Sequence, residues 1–233
     1  CKYYPEVSSH PDKMHKENLP EDAFYHVFEM NLDGTGLKQL THGRYDDFSA
    51  RYLPDGNIVF LSTRRGTAMQ CTPQYTMATL SATLPDSYVR CGGDPSRPVS
   101  VYTMHVMTSD GSFIRAISPF ENFEWDPNIS NDGRILFARW DYVDRNNMPY
   151  MKLWSSNPDG TSLRKVYGNF TSFFHCAFEA RPVPNSNKIL MTASAHHAIT
   201  GGTLVMLDPT IDTEGLSPIT KLTPEVPYPE VES

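Results

Sequence analysis

"FEMNLDGTGLKQLTHGRYDDFSARYLPDGNIVFLSTR", Phe28–Arg64, reads as four short strands, and the chain then repeats it. One strand runs into Asp33-Gly34 and a second leaves it through "LKQLT". A third approaches Asp55-Gly56 and a fourth, "NIVFLS", departs. Asp-Gly suits such turns because glycine, and to a lesser degree aspartate, tolerates positive φ. The pattern returns in "YTMHVMTSDGSFIRAISPFENFEWDPNISNDGRILFARW", Tyr102–Trp140, where Asp110-Gly111 and Asp132-Gly133 keep the same 22-residue interval. It returns again in "LWSSNPDGTSLRKVYGNFTSFFHCAFEARPVPNSNKILMTAS", Leu153–Ser194, with Asp159-Gly160 and with "NSNK" in place of the second turn. A partial fourth copy starts at "TLVMLDPT", Thr203–Thr210.

Four-strand units repeating every ~40–50 residues are the sequence signature of a β-propeller. An eight-strand sandwich, the plainer all-β alternative, would not repeat the same two turns at a fixed interval. The expected fold is therefore all-β: about three complete four-stranded blades plus partial blades. The units are 24–65, 99–145, 151–197 and 203–233, with an insertion at 66–98 and an irregular extension at 1–23. Three blades fall short of a closed ring and leave open edges, so the expectation is part of a larger, six- to eight-bladed propeller.

Bulk properties narrow the partners. The 233 residues carry 27 acidic against 20 basic side chains, net −7, with no basic block. That argues against nucleic acid or an anionic membrane surface as the main partner. No apolar run approaches the ~18–20 residues of a membrane helix, so no membrane insertion is expected. The sequence begins at Cys1 without a signal peptide, which reads as a processed or excised piece. Cysteines at 1, 71, 91 and 176 form no CxxC pair; their spacing leaves a Cys71–Cys91 disulfide and the redox compartment open.

In a four-stranded blade the first and third turns share one end, and here they are the short Asp-Gly turns. The other end receives everything irregular. It holds the connections Thr41–Phe48, Ser118–Asp126 and Gly168–Ala180, the long insertion, and the loops Asp141–Tyr150 and Ala195–Gly202. Loops on one rim of a rigid scaffold are where binding and catalytic groups sit. The candidates there are Cys71, Cys91, Cys176, His42, His175, His196, His197, Asp46, Asp47, Asp141 and Asp144.

Each candidate has a plainer reading. His196 and His197 form a tempting metal pair, yet neighbouring strand residues point to opposite sides. Asp46, Asp47, Asp141 and Asp144 have the chemistry to cup calcium; such aspartates also cap backbone N–H groups or pair with Arg139 and Arg145. His175-Cys176 has the elements of a thiolate–imidazole pair, but adjacency does not supply hydrogen-bond geometry. Trp125 and Trp140, at strand ends, suit packing between blades. Cys71 lies in the long insertion with little sign of a core role, and soft thiolate suits zinc. No Ser-His-Asp arrangement, P-loop, dinucleotide fingerprint or HExxH motif is present.

The repeat units resemble TolB-type PD40 propellers, through "MNLDGTGLKQLT" and "YLPDGNIVFLSTR". A longer pattern joins "DDFSARYLPDGNIVFLSTRRG", "YTMHVMTSDG", "NDGRILFARWDYVDR", "LWSSNPDGTSLRKVYGN" and "HHAITGGTLVMLD". It resembles the propeller portion of hydrazine synthase alpha subunits and their relatives, from about Phe28 onward. The resemblance implies a module of a multihaem oxidoreductase in a complex with beta and gamma subunits, in an exported, periplasm-like compartment or anammoxosome. That complex condenses hydroxylamine derived from nitric oxide with ammonia to hydrazine. It implies a zinc ligand among the propeller cysteines, best matched by Cys71 and next by Cys91. It also implies c-type haem. The chain has no CxxCH, so haem would be attached by the remainder of the alpha subunit, and this chain alone is not expected to turn over. The competing expectations are a non-catalytic TolB-like interaction propeller, with aromatics Tyr45, Phe120, Phe123, Phe173 and Phe174 exposed, and a propeller gating a hydrolase, which needs a G-x-S-x-G element that is not present.

Overall fold

The computed structural model describes residues 20–64, 86–87, 99–100, 102–120, 122–140, 150–195 and 201–229. Among the described residues, apart from one short 3-10 turn at Glu21–Ala23, every regular element is a strand. The described residues of Cys1–Ala50 with Gly56–Asn122 form one compact unit, and those of Arg51–Asp55 with Phe123–Ser233 a second.

In the first unit, β1 (Phe28–Glu29) and β2 (Lys38–Gln39) pair as an antiparallel hairpin. A four-stranded sheet follows in the order β3 (Asp47–Tyr52), β4 (Ile58–Ser62), β7 (Thr103–Met107) and β8 (Arg115–Ala116). Between β4 and β7, β5 (Asp86–Ser87) in the insertion pairs with β6 (Val99–Ser100), just after it. Every residue of β4 and β7 is buried, so these middle strands are covered on both faces, and their polar residues Ser62, Thr103 and His105 are buried with the apolar ones. Val27, Leu40, Ile58, Phe60 and Met107 form the core under the hairpin.

The second unit holds two such sheets. One runs β9 (Glu124–Ile129), β10 (Ile135–Trp140), β11 (Met151–Ser156), β12 (Arg164–Tyr167); the other runs β13 (Cys176–Pro182), β14 (Ile189–Ser194), β15 (Gly202–Leu207), β16 (Ile219–Lys221). A parallel bridge, Met151 to Cys176, joins them. Leu136, Leu153, Tyr167, Phe174, Ala177 and Met191 belong to their shared core. These sheets are β-propeller blades: among the described residues three are complete, and the β1–β2 hairpin contributes two strands of another.

Strand pairing corrects the phase of the units. The stretches 24–65, 99–145 and 151–197 each contain the last two strands of one sheet and the first two of the next. β4 pairs with β7, and β10 with β11, across those boundaries. Sequence repetition defines a period, but only the hydrogen-bonded ladder defines where a sheet begins. The same pairing places the insertion between the second and third strands of one blade, as the rim assignment requires.

The Asp-Gly turns work differently from the sequence expectation. Only the glycines take positive φ, at +85° in Gly34, +89° in Gly111 and +81° in Gly133. The aspartates instead accept the amide two residues on: Asp33 from Thr35 at 2.9 Å, Asp110 from Ser112 at 3.0 Å, Asp159 from Thr161 at 2.9 Å. Each is an Asx turn closed by a left-handed glycine. In the third blade the corresponding turn is built differently: the positive φ, +57°, falls on Asn185, one residue before Ser186, which stands where Gly133 does in the second blade.

Candidate functional site

The rim assembles partly within the described residues. In the first unit, Asp46 Oδ1 accepts the Tyr25 amide at 3.1 Å, and Asp46 N–H donates to Thr63 Oγ1 at 3.1 Å. Asp47, fully buried, forms an ion pair with Arg64, whose guanidinium also lies 4.6 Å from the centre of the Tyr45 ring. Burial raises the Asp47 pKa, against the pull of Ser62, Arg64 and Thr41. These two aspartates therefore do what capping and pairing aspartates do, with Arg64 rather than Arg139 or Arg145 as the cation. A calcium ion here would compete with that guanidinium. His42 is exposed, its Nδ1 3.6 Å from Glu21 Oε1.

In the second unit, the connection into β13 brings Phe174, His175 and Cys176 against the start of β11. His175 is buried, and its backbone donates to Ser194 O and accepts from Met151 N–H. The Cys176 thiol donates to Ala195 O at 3.3 Å and lies 3.4 Å from Met151 Sδ. Burial pushes its pKa up to about 12, although Lys152 pulls the other way. A thiol so held is neither nucleophile nor metal-ligating thiolate.

Lys152 is the group that sequence reasoning missed at this end. It is fully buried, donates to Phe174 O, and holds Nζ 4.5 Å from the Phe174 ring centre. Desolvation lowers its pKa to about 7. In the sequence it is an ordinary lysine in "YMKLWSS", with nothing local to distinguish it.

A second missed group lies on the first strands of the blades. Ser49, Asp126 and Glu179 occupy equivalent positions, each seven residues before the turn position held by Gly56, Gly133 and Ser186. All three have positive φ, +54°, +52° and +53°. In β9 and β13 the ladder register also shifts in this region, as at a bulge. Within the second unit, Glu179 N–H donates to Asp126 Oδ2 at 3.2 Å. Burial raises the Asp126 pKa, and the Glu179 charge adds to this; Arg181 and Arg51 oppose it. Arg51 is itself lowered by burial and by Arg181. Two acids and two guanidiniums thus share one partly buried locus, chemistry suited to a small polar or ionic ligand. Aligning "FSARYLPDG", "EWDPNISNDG" and "FEARPVPNS" by their turns was the available signal.

The aromatics divide. Phe123 stacks on Trp125 and Trp140 at 5.7 and 6.3 Å, and Trp125 meets Phe178 of the next blade edge-on at 5.5 Å. Both tryptophans serve blade packing. Phe123 and Phe174 are buried, so they belong to no exposed patch, whereas Phe170 and Phe173 are 80% and 54% exposed. Cys71, Cys91, Asp141, Asp144, His196 and His197 lie outside the described residues. Among the described residues, no three His, Cys, Asp or Glu side chains gather as a metal set, and no helix is long and apolar enough to cross a membrane.

No protein-family model and no curated protein matches the sequence. Solved structures do match the fold. Kuenenia stuttgartiensis hydrazine synthase superposes on 85% of this chain with a TM-score of 0.63 at 17% identity. The likeness is one of fold. This chain spans 29% of the length of that one. TolB from Acinetobacter baumannii covers 92% of this chain and 53% of its own at a TM-score of 0.40 and 12% identity. A putative TolB from Agrobacterium tumefaciens covers 83% and 86% at 0.40 and 13%.

Proposed function

We propose that this chain is a propeller module of a hydrazine synthase-like oxidoreductase, the alpha subunit of a heteromeric complex with beta and gamma subunits. The observation that carries the reading is the 0.63 TM-score over 85% of the chain, with 29% of the larger partner covered. A module inside a longer multidomain protein has that proportion. The loop-rich rim forms one wall of a haem and zinc site for small nitrogen compounds, hydroxylamine and ammonia giving hydrazine. The compartment is periplasm-like or an anammoxosome. Cys176 does not fit zinc, because its thiol is buried and protonated; the ligand is Cys71, with Cys91 second. The c-type haem belongs to the rest of the alpha subunit.

The full-length protein tests this. Its absorption spectrum should show a Soret band, and elemental analysis should find zinc that falls on Cys71→Ser substitution. A full-length protein with neither haem nor zinc overturns the reading. That outcome favours a non-catalytic, TolB-like interaction propeller instead, for which the exposed Phe170 and Phe173 on the 168–175 connection speak.

A further inference from the structure

The Asp-Gly end of the second unit carries a cavity of about 510 Å³ between its two blades. It lies between the turns Ser130–Arg134 and Pro182–Ile189, strand β12, and the loop after β15. Four cations line it, Arg134, Arg164, Lys165 and Lys188, against one carboxylate, Asp132. In a chain of net charge −7 this is a local reversal of sign.

The two guanidiniums are brought together by one hydroxyl. Arg134 Nε donates to Ser155 Oγ at 3.2 Å and Arg164 Nε to the same oxygen at 3.4 Å. Arg134 is further fixed by neutral acceptors, Asn157 Oδ1 and Ser162 O, both at 2.6 Å. Its pKa is lowered by burial and then by the Arg164 charge, so the pair repels. Asp132 does little to offset this: it is 3.9 Å from Arg164, and both side chains are mostly exposed. Lys188 stands in the field of Asp208, while Lys165 reaches Asn169 Oδ1 at 3.3 Å. Leu136, Val166 and Ile189 add an apolar wall.

We infer that this groove binds a small, multiply charged phosphorylated compound. Forked guanidiniums match phosphate oxygens geometrically; the Arg164 fork, the fixed positive charge of Arg134 with its remaining N–H groups, and two lysines suit a di- or trianion better than a single carboxylate. The volume lies in the range of small-molecule sites, roughly 300–1,000 Å³, and the apolar wall can receive an organic body. The site is at the opposite end of the blades from the loop-rich rim and needs neither haem nor zinc.

The test is calorimetric titration of the intact protein with inorganic pyrophosphate, at low and at physiological salt. The expected result is saturable 1:1 binding that weakens with salt. Arg164→Ala and Lys188→Ala, both at the surface, should each weaken it about tenfold, the equivalent of ~1.4 kcal/mol. Asp132→Asn should tighten it. No saturation by about 10 mM, where ΔG would be weaker than roughly −3 kcal/mol, overturns the inference. So does binding that neither cation substitution changes. Binding of an acidic peptide but not of pyrophosphate would assign the groove to a protein partner and likewise overturn it. Circular dichroism of each variant separates lost binding from lost fold.

Discussion

Lys152 is an amine buried away from solvent. Its amine donates to Phe174 O and faces the Phe174 ring; among the described residues Glu214 acts on it only as a charge at a distance, a smaller influence than its burial. Removing Gly168's freedom would not help, since a Cβ there would meet Lys152 Cδ at 2.9 Å. With the native pKa near 7 and the ordinary value at 10.5, the unfolded chain holds a proton between those limits that the folded chain has released. Stability therefore rises with pH across about 7 to 10.5 and gains nothing from this group below 7. The full span amounts to an order of 5 kcal/mol. Urea unfolding at pH 6.5, 8 and 9.5 should show the midpoint climbing, and Lys152→Met should raise the pH 6.5 midpoint and flatten the slope. A wild-type midpoint that falls over this range would contradict the burial argument. Nothing in "YMKLWSS" announces this lysine, because burial is a property of what the connection 168–175 lays over it. Asp47 is half legible by contrast. A capping or pairing role follows from residue type, while the identity of its cation, Arg64, depends on where β4 ends.

At the scale of elements, the Asp-Gly hairpins separate what turn chemistry requires from what packing requires. Gly34 and Gly111 have nearly the same backbone, φ +85° and +89°, so alanine is strained at both. A Cβ on Gly34 meets nothing within 4 Å, whereas one on Gly111 would lie 2.4 Å from Leu40 O. Gly34→Ala should cost about 1 kcal/mol, the price of the left-handed conformation alone. Gly111→Ala should cost more, at least 2 kcal/mol, because the turn must withdraw from the β2 end and disturb the Val27–Leu40–Met107 core. Thermal unfolding of the two variants decides it; equal losses would mean the close approach is relaxed at little cost. The hairpins themselves were legible in the sequence, since Asp-Gly between apolar runs is a local signal. The bulges at Asp126 and Glu179 were not, because a bulge is a mismatch of register between two strands and neither strand records it alone.

At the scale of the whole molecule, the β1–β2 hairpin is, among the described residues, two strands of a blade. It leaves Phe28, Met30, Leu32 and Leu37 exposed at 51%, 56%, 109% and 66%, beside a short, two-stranded ladder. Edges of this kind recruit other strands. Produced by itself, the 233-residue chain should self-associate, and light scattering behind size exclusion should show mass above the monomer. Leu32→Lys with Leu37→Lys should shift the distribution toward monomer. A monodisperse wild-type monomer at micromolar concentration would mean that the edge is already covered.

The sequence by itself determined the strand content, the turns, the four-strand period and the end of the blades on which the irregular loops gather. All of these rest on interactions between residues close in the chain. Tertiary structure alone decided where each sheet begins, since that depends on which hairpins share a ladder. It decided that Cys176 is an inert buried thiol, that Lys152 loses its solvent, and that Arg134 and Arg164 meet on one serine. Those outcomes depend on residues brought together from distant strands, and desolvation and charge act through space rather than along the chain.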